Sequence, residues 1–258
     1  MRLQDIYPSE IVESSWFDTY KQNIDAIWHQ LGRLNSNIYI LEKIYSFPFD
    51  LLWLSTSNFW NLVNNALFES CIMIIWRAAM DNSYAESLTI QQLKNEISRH
   101  INDSYRDQFR EELRGLNFES TVESVKSKIV EIRHNYIAHY NFEKDVNPTT
   151  EDIERRKILF SELKKYLNTL TSFFDLLCFG HQRALLPLDY HPDVINPIGV
   201  DSRSDIEQLL DLIAKNSDLL NLPEQNPNMW DIERKNISQE GLNILNTYRI
   251  KFGLSNLE

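Results

Sequence analysis

Apolar residues recur along this chain at intervals of three and four, with little of the strict alternation of a strand, so the pattern predicts helices. Residues 10–46 form the first, with Ile24, Ile27, Leu31, Leu34, Ile38 and Leu41 as its inner stripe and Gly32 as a point of weakness or kinking. The turn Phe47-Pro48-Phe49 ends it, because proline pushes the preceding residue out of helical geometry. The second helix, residues 50–81, is apolar round most of its circumference and is expected to be central. Shorter helices follow at 89–101, introduced by Ser87-Leu88-Thr89, and at 106–113. Residues 120–145 make the next, closed by Asn147-Pro148.

Thr149-Thr150-Glu151-Asp152 then supplies capping hydroxyls and early acidic charge for a last long helix. Along it Leu159, Leu163, Tyr166, Leu170, Phe173 and Leu177 repeat at spacings of four, three, four, three, four. Such a seam suits a bundle or dimer interface, and it suits the chain's own core equally. After Phe179-Gly180 the composition shifts, and Pro187, Pro192, Pro197, Pro223 and Pro227 punctuate the remainder around helical patterns at 204–220 and 238–252. The expected architecture is therefore all-α: an up-and-down helical bundle over residues 1–180 and a partly helical C-terminal extension over 181–258.

Composition narrows the function classes. With 43% hydrophobic and 12% aromatic residues, the chain carries enough apolar surface to offset its entropy, which excludes wholesale disorder. The six glycines are scattered, whereas a phosphate-cradling loop needs them clustered so that backbone amides approach the anion. Cys71 and Cys178 lie among apolar neighbours, as buried free thiols of a reducing compartment do, and no partners at zinc spacing accompany them. Residues 1–9 lack the apolar core of a signal peptide. The most apolar stretch, 59–80, is broken by Asn61, Asn64, Asn65, Glu69 and Arg77 and reads as a buried helix, not a membrane span. The expected location is the cytoplasm, with no membrane partner. A net charge of -11 opposes broad polyanion binding, whose energy comes from many phosphate contacts. Two basic clusters remain: Lys126, Lys128 and Arg133, then Arg155, Arg156, Lys157, Lys164 and Lys165. They read as solvated helix faces or as a local groove.

One segment is chemically suggestive. Val122, Val125, Ile129, Ile132, Tyr136 and His139 continue one stripe at spacings of three, four, three, four, three. At 100° per residue that stripe spans roughly 80° with His139 on one edge, while Arg133 lies about 120° round from it and about 9 Å away along the axis. An imidazole and a guanidinium thus flank one packing surface. Spacing alone fits a satisfied core histidine and a snorkelling arginine as well as it fits a site.

The run Arg133-His134-Asn135-Tyr136-Ile137-Ala138-His139 resembles the motif of HEPN-superfamily domains: arginine, a polar residue, a short spacer, then histidine. Its Ile-Ala-His ending looks like the abortive-infection, AbiU-type branch. The surrounding order is similar too, with an apolar helix ending in Trp76-Arg77-Ala78-Ala79-Met80-Asp81, a helix start at Ser87-Leu88-Thr89-Ile90, the motif helix and a closing amphipathic helix. The resemblance covers residues 50–179. The five-residue spacer is longer than the commonest form, and the C-terminal extension has no counterpart.

The resemblance implies a metal-independent endoribonuclease, a toxin or phage-defence effector that works as a homodimer on an RNA substrate, with an antitoxin as a candidate partner. In that reading His139 is the general acid or base, Arg133 binds the scissile phosphate, and His134 or Asn135 orients the phosphate or the imidazole. No cofactor or metal is expected. Asp189, His191 and Asp193 sit beside prolines as loop carboxylates and a loop histidine commonly do, while Glu111-Glu112 and Glu151-Asp152 read as helix-surface charge. Other members of the superfamily are non-catalytic modules that bind nucleotides, RNA or proteins, and this is the main alternative. A helical scaffold outside the superfamily is the third.

Overall fold

The structure is a computed structural model that describes residues 2–47, 49–79, 88–133, 150–180, 205–216, 218–237 and 239–257. Among these the fold is all-α, as expected. A 3-10 turn at Leu3–Asp5 precedes α1 (Pro8–Ile11), α2 (Phe17–Ser46), α3 (Phe49–Ala79), α4 (Ile90–His100), α5 (Asp103–Gly115), α6 (Phe118–Arg133) and α7 (Thr150–Leu177). There follow α8 (Asp205–Lys215), α9 (Asp218–Gln225), α10 (Pro227–Glu233), a 3-10 turn at Arg234–Asn236 and α11 (Gln239–Lys251). No helix among the described residues is long and apolar enough to cross a membrane.

Contacts group the chain into two compact units, Met1–Ile38 with Glu69–Leu186, and Tyr39–Phe68 with Pro187–Glu258. In the first unit the α2 stripe from Ile24 to Ile38 is buried, as its spacing predicts. Ile90, Leu93 and Ile97 give α4 one apolar face, and the Thr89 hydroxyl caps its start by accepting from Gln92 N at 3.0 Å. That satisfies an amide the first helical turn cannot pair. Both α4 and α6 pack against α7. Leu163, Tyr166, Leu170, Phe173 and Leu177 are all buried, so this part of the α7 seam serves the chain's own core; the side chain of Leu159 lies outside the described set.

The single helix expected over residues 10–46 is two. Between α1 and α2, Val12 bridges Ile101, Glu13 N donates to His100 O at 2.8 Å, and Asn102 N donates to Ile11 O at 2.8 Å. These bonds hold residues 11–13 extended, and a tertiary contact of this kind overrides local periodicity. Gly32 leaves α2 unbroken. The chain leaving α7 is fastened by Tyr20, whose hydroxyl donates to Leu177 O at 2.9 Å and accepts from Phe179 N at 2.8 Å. Gly180 follows at φ +60°, where a Cβ would lie 2.8 Å from Pro8 Cδ and 3.0 Å from Ile6 O. Glycine meets both the left-handed backbone and the close approach.

In the second unit Ile44, Phe47 and Trp60 share a core with Ile206, Leu210, Ala214, Leu219, Leu220, Trp230 and Leu245. The central position expected for the second helix holds for Cys71, Ile72, Ile75, Ala78 and Ala79, which are buried, but Phe59 and Leu62 are exposed. The helix expected over 204–220 ends at Lys215, and α9 carries Pro223 inside it, forgoing one helical hydrogen bond. Helix α10 was not expected. Asn226 caps it, accepting from Met229 N at 3.2 Å, and Pro227 opens it; a fixed φ and a missing N–H suit that position. The helix expected over 238–252 is α11. Both cysteines are buried and neither is in a disulfide, and burial pushes the Cys71 thiol up to about 12, which leaves it inert as a nucleophile.

Candidate functional site

Helix α6 delivers the one expected site residue that the structure describes. Val122, Val125, Ile129 and Ile132 are buried along one face, so the predicted stripe is real and sets the rotation of the helix. That rotation leaves Arg133, next to Ile132, half-buried at the margin of the stripe. Its guanidinium carbon sits over the Trp76 ring, 4.5 Å from the centroid. Trp76 belongs to the last turns of α3, where Ile75, Ala78 and Ala79 are buried and Arg77 is exposed. Buried neighbours on both helices therefore fix the two backbones from which the cation and the ring project.

Electrostatically, Arg133 differs from several of its basic neighbours in the first unit. Lys94 pairs with Glu119 at 2.5 Å, Arg99 with Glu96 at 2.5 Å, Arg106 with Asp103 at 2.9 Å, Arg110 with Asp107 at 3.2 Å and Lys126 with Glu123 at 3.4 Å. Arg133 has no carboxylate partner and donates no hydrogen bond among the described residues. An arginine held over an aromatic ring does not spend its N–H groups on a carboxylate, and the fork geometry of those groups matches a phosphate. Lys126, of the first basic cluster, has an acid beside it on its own helix.

His134, Asn135, Tyr136 and His139 lie outside the described residues, as do Asp189, His191, Asp193 and the side chains of Arg155, Arg156 and Lys157. Trp76 was read in the sequence as part of a helix end, with no role at the site. Its signal was present, as an aromatic beside Arg77 at the close of an apolar helix, but nothing in the pattern says that residues 76 and 133 meet.

His100, in the same unit, belongs to a fastening. The His100 ring stacks on Trp16 with centroids 4.9 Å apart, and its nitrogens lie 3.0 Å from Glu13 and 3.9 Å from Glu96. It borders the Val12–Ile101 bridge and so helps to hold residues 11–13 in place. Among the described residues no group of three histidine, cysteine, aspartate or glutamate side chains is placed to hold a metal ion.

Compared with known protein families, the chain is similar to the HEPN-type family described as AbiU2, whose model matches residues 20–197. That match takes in α3, α6 and the Arg133–His139 run and stops before α8. No curated protein and no solved structure matches the chain.

Proposed function

Because this chain belongs to the AbiU2 family of HEPN domains, we propose that it is a metal-independent endoribonuclease, acting as a homodimer in abortive infection or as the toxin of a toxin–antitoxin pair. The observation that supports this most is Arg133, a half-buried guanidinium lying on Trp76 with no acid among the described residues to neutralise it. A cation left open in this way, at the first residue of the Arg133–His139 run, is what a phosphodiester requires.

The chemistry follows from the residue types. The 2′-hydroxyl of the substrate attacks phosphorus, its proton passing to a general base, while the departing 5′-oxygen takes a proton from a general acid. The products carry a 2′,3′-cyclic phosphate and a free 5′-hydroxyl. An imidazole suits proton transfer near neutral pH, and His139 fills one of these roles. Arg133 holds the non-bridging oxygens and offsets the charge that develops on them, and His134 or Asn135 orients the phosphate or the imidazole. At 100° per residue, a helix carried through the motif would set Arg133 and His139 about 120° apart, and a second copy then supplies the opposing acid or base. The second reading is a HEPN module that binds RNA, nucleotide or protein without turnover, and the net charge of -11, which opposes broad polyanion binding, favours its protein-binding form.

The test is cleavage of single-stranded RNA in EDTA. Arg133→Ala and His139→Ala should each lower the rate by about a hundredfold or more and leave helical circular dichroism unchanged. RNA retention without cleavage by the wild type selects the binding module, and absence of both removes the enzyme and the RNA-binding form of the module. Loss of fold in His139→Ala marks that residue as core. A monomer by light scattering at working concentration speaks against a shared site.

A further inference from the structure

We propose that Trp76 is a positioning residue of the phosphate site, setting the plane in which Arg133 meets the scissile phosphodiester of single-stranded RNA. The inference rests on the phosphate-binding role of Arg133 and adds to it a group that touches no substrate atom.

The argument starts from what an arginine must give up to bind. Its side chain carries about 2 kcal/mol of rotamer entropy, and a fork that wanders forfeits much of the advantage of its geometry. Proteins commonly restrain arginine with a carboxylate, as Asp103 does for Arg106 and Asp107 for Arg110 here. A carboxylate occupies the same in-plane N–H groups that a phosphate needs and cancels the charge. An aromatic face does neither. With its guanidinium carbon 4.5 Å from the Trp76 centroid, Arg133 is well inside the roughly 6 Å range of cation–π attraction, and indole is the strongest partner for it. The ring attracts the cation and brings no oxygen that would take up its N–H groups or cancel its charge.

Partial burial strengthens the pair. Both side chains are half-buried, and Ile75, Ala78, Ala79 and Ile132 beside them are buried, so less water competes for the cation than at an open surface. The same neighbours hold the two helices, which makes the platform rigid before substrate arrives. Such preorganisation raises affinity by cutting the ordering that binding requires.

The experiment is a double-mutant cycle on the full chain, with a fluorescein-labelled, mixed-sequence single-stranded oligoribonucleotide as probe and cleavage followed in EDTA. Trp76→Leu should lower kcat/KM by about tenfold and Trp76→Phe by about threefold, the smaller ring restoring most of the attraction. Arg133→Lys keeps the charge and loses the planar fork. Its penalty should be about tenfold smaller in the Trp76→Leu background than in the wild type, because without the platform the fork is no longer held. A merely structural tryptophan predicts additive losses, and coupling under about twofold overturns the proposal. So does an unchanged kcat/KM in Trp76→Leu. If Trp76→Leu does not fold, the cycle is run with Trp76→Phe, where additivity again overturns it. Failure of the functional reading looks different: the wild type then neither cleaves nor retains the oligonucleotide, and both conclusions fall together. A wild type that cleaves, an inactive Arg133→Ala and an uncoupled Trp76 would remove this inference alone.

Discussion

Arg249 offers the sharpest test of how the second unit is held together. On α11 it is 1% exposed, and a charged side chain is rarely so deep unless its donors are satisfied. Four of its five N–H groups are: Nη1 donates to Leu220 O, Nε donates to Ser255 O at 2.6 Å, and the two terminal nitrogens reach both carboxylate oxygens of Glu224, Nη1 at 3.3 Å. One guanidinium thus ties α9 to the chain that follows α11. Arg249→Met keeps the apolar stem and removes every donor. Two carbonyls then lose charged partners at about 1–3 kcal/mol each, whereas Glu224, half-exposed, turns to water and contributes at most about 1 kcal/mol. The expected loss is about 3–4 kcal/mol, carried by the carbonyls more than by the ion pair. Hydrogen exchange read by mass spectrometry on peptides of α9 and α11 reports this locally, which matters because a chain of two units need not unfold in one step. Protection there should fall by about a hundredfold or more in Arg249→Met and by less than about fivefold in Glu224→Gln. Equal losses in the two variants would refute the assignment to the carbonyls, and unchanged protection in Arg249→Met would refute the staple itself.

Two further outcomes follow from the same reasoning. Tyr20→Phe strips the hydroxyl that serves both Leu177 O and Phe179 N in a buried place, so it should lower stability by about 2–3 kcal/mol in chemical denaturation, and a near-zero change would show those groups finding other partners. The Arg249 hydrogen bond holds the Glu224 carboxyl below its ordinary range; its stabilisation is therefore present in full above the ordinary carboxylate value and lost as pH falls through the depressed one. The difference in α9 protection between wild type and Glu224→Gln should accordingly shrink on acidification, and a difference that grows toward low pH would contradict the sign.

How far the sequence could be read depended on how local each signal was. The stripes of α2 and α6, the Thr89 cap of α4 and the core face of α7 were visible because period and capping chemistry act within a few residues. The break at residues 12–16 was not, since the bridge to Ile101 joins positions far apart in the chain. Asn226-Pro227 was visible as punctuation but not as the opening of α10, because the same dipeptide serves turns and helix starts. Phe59 and Leu62 were expected inside on hydropathy and are exposed, hydropathy stating what a residue prefers and not what lies opposite it. At the site the sequence supplied Arg133 and its family context. The ring beneath it is a contact between α3 and α6, and no pattern along either helix encodes that meeting.

The α7 seam also bears on how a shared site would have to be built. A run of apolar residues at alternating fours and threes is what a dimer interface needs, yet from Leu163 to Leu177 that run is buried within the chain. Two copies cannot use it without opening the core that α4 and α6 make with α7, and large exposed apolar faces of that kind would destabilise the free subunit. The dimer expected of the proposed enzyme must then form on another face. The chemistry selects which: the composite arrangement works only if the end of α6 that carries Arg133 borders the partner. Because Arg133 takes its restraint from Trp76 on its own chain, each subunit would bring a cation already oriented. Pairing would then have to add the opposing imidazole and no further positioning of the phosphate, a division that makes RNA affinity much less sensitive to dimerisation than turnover is.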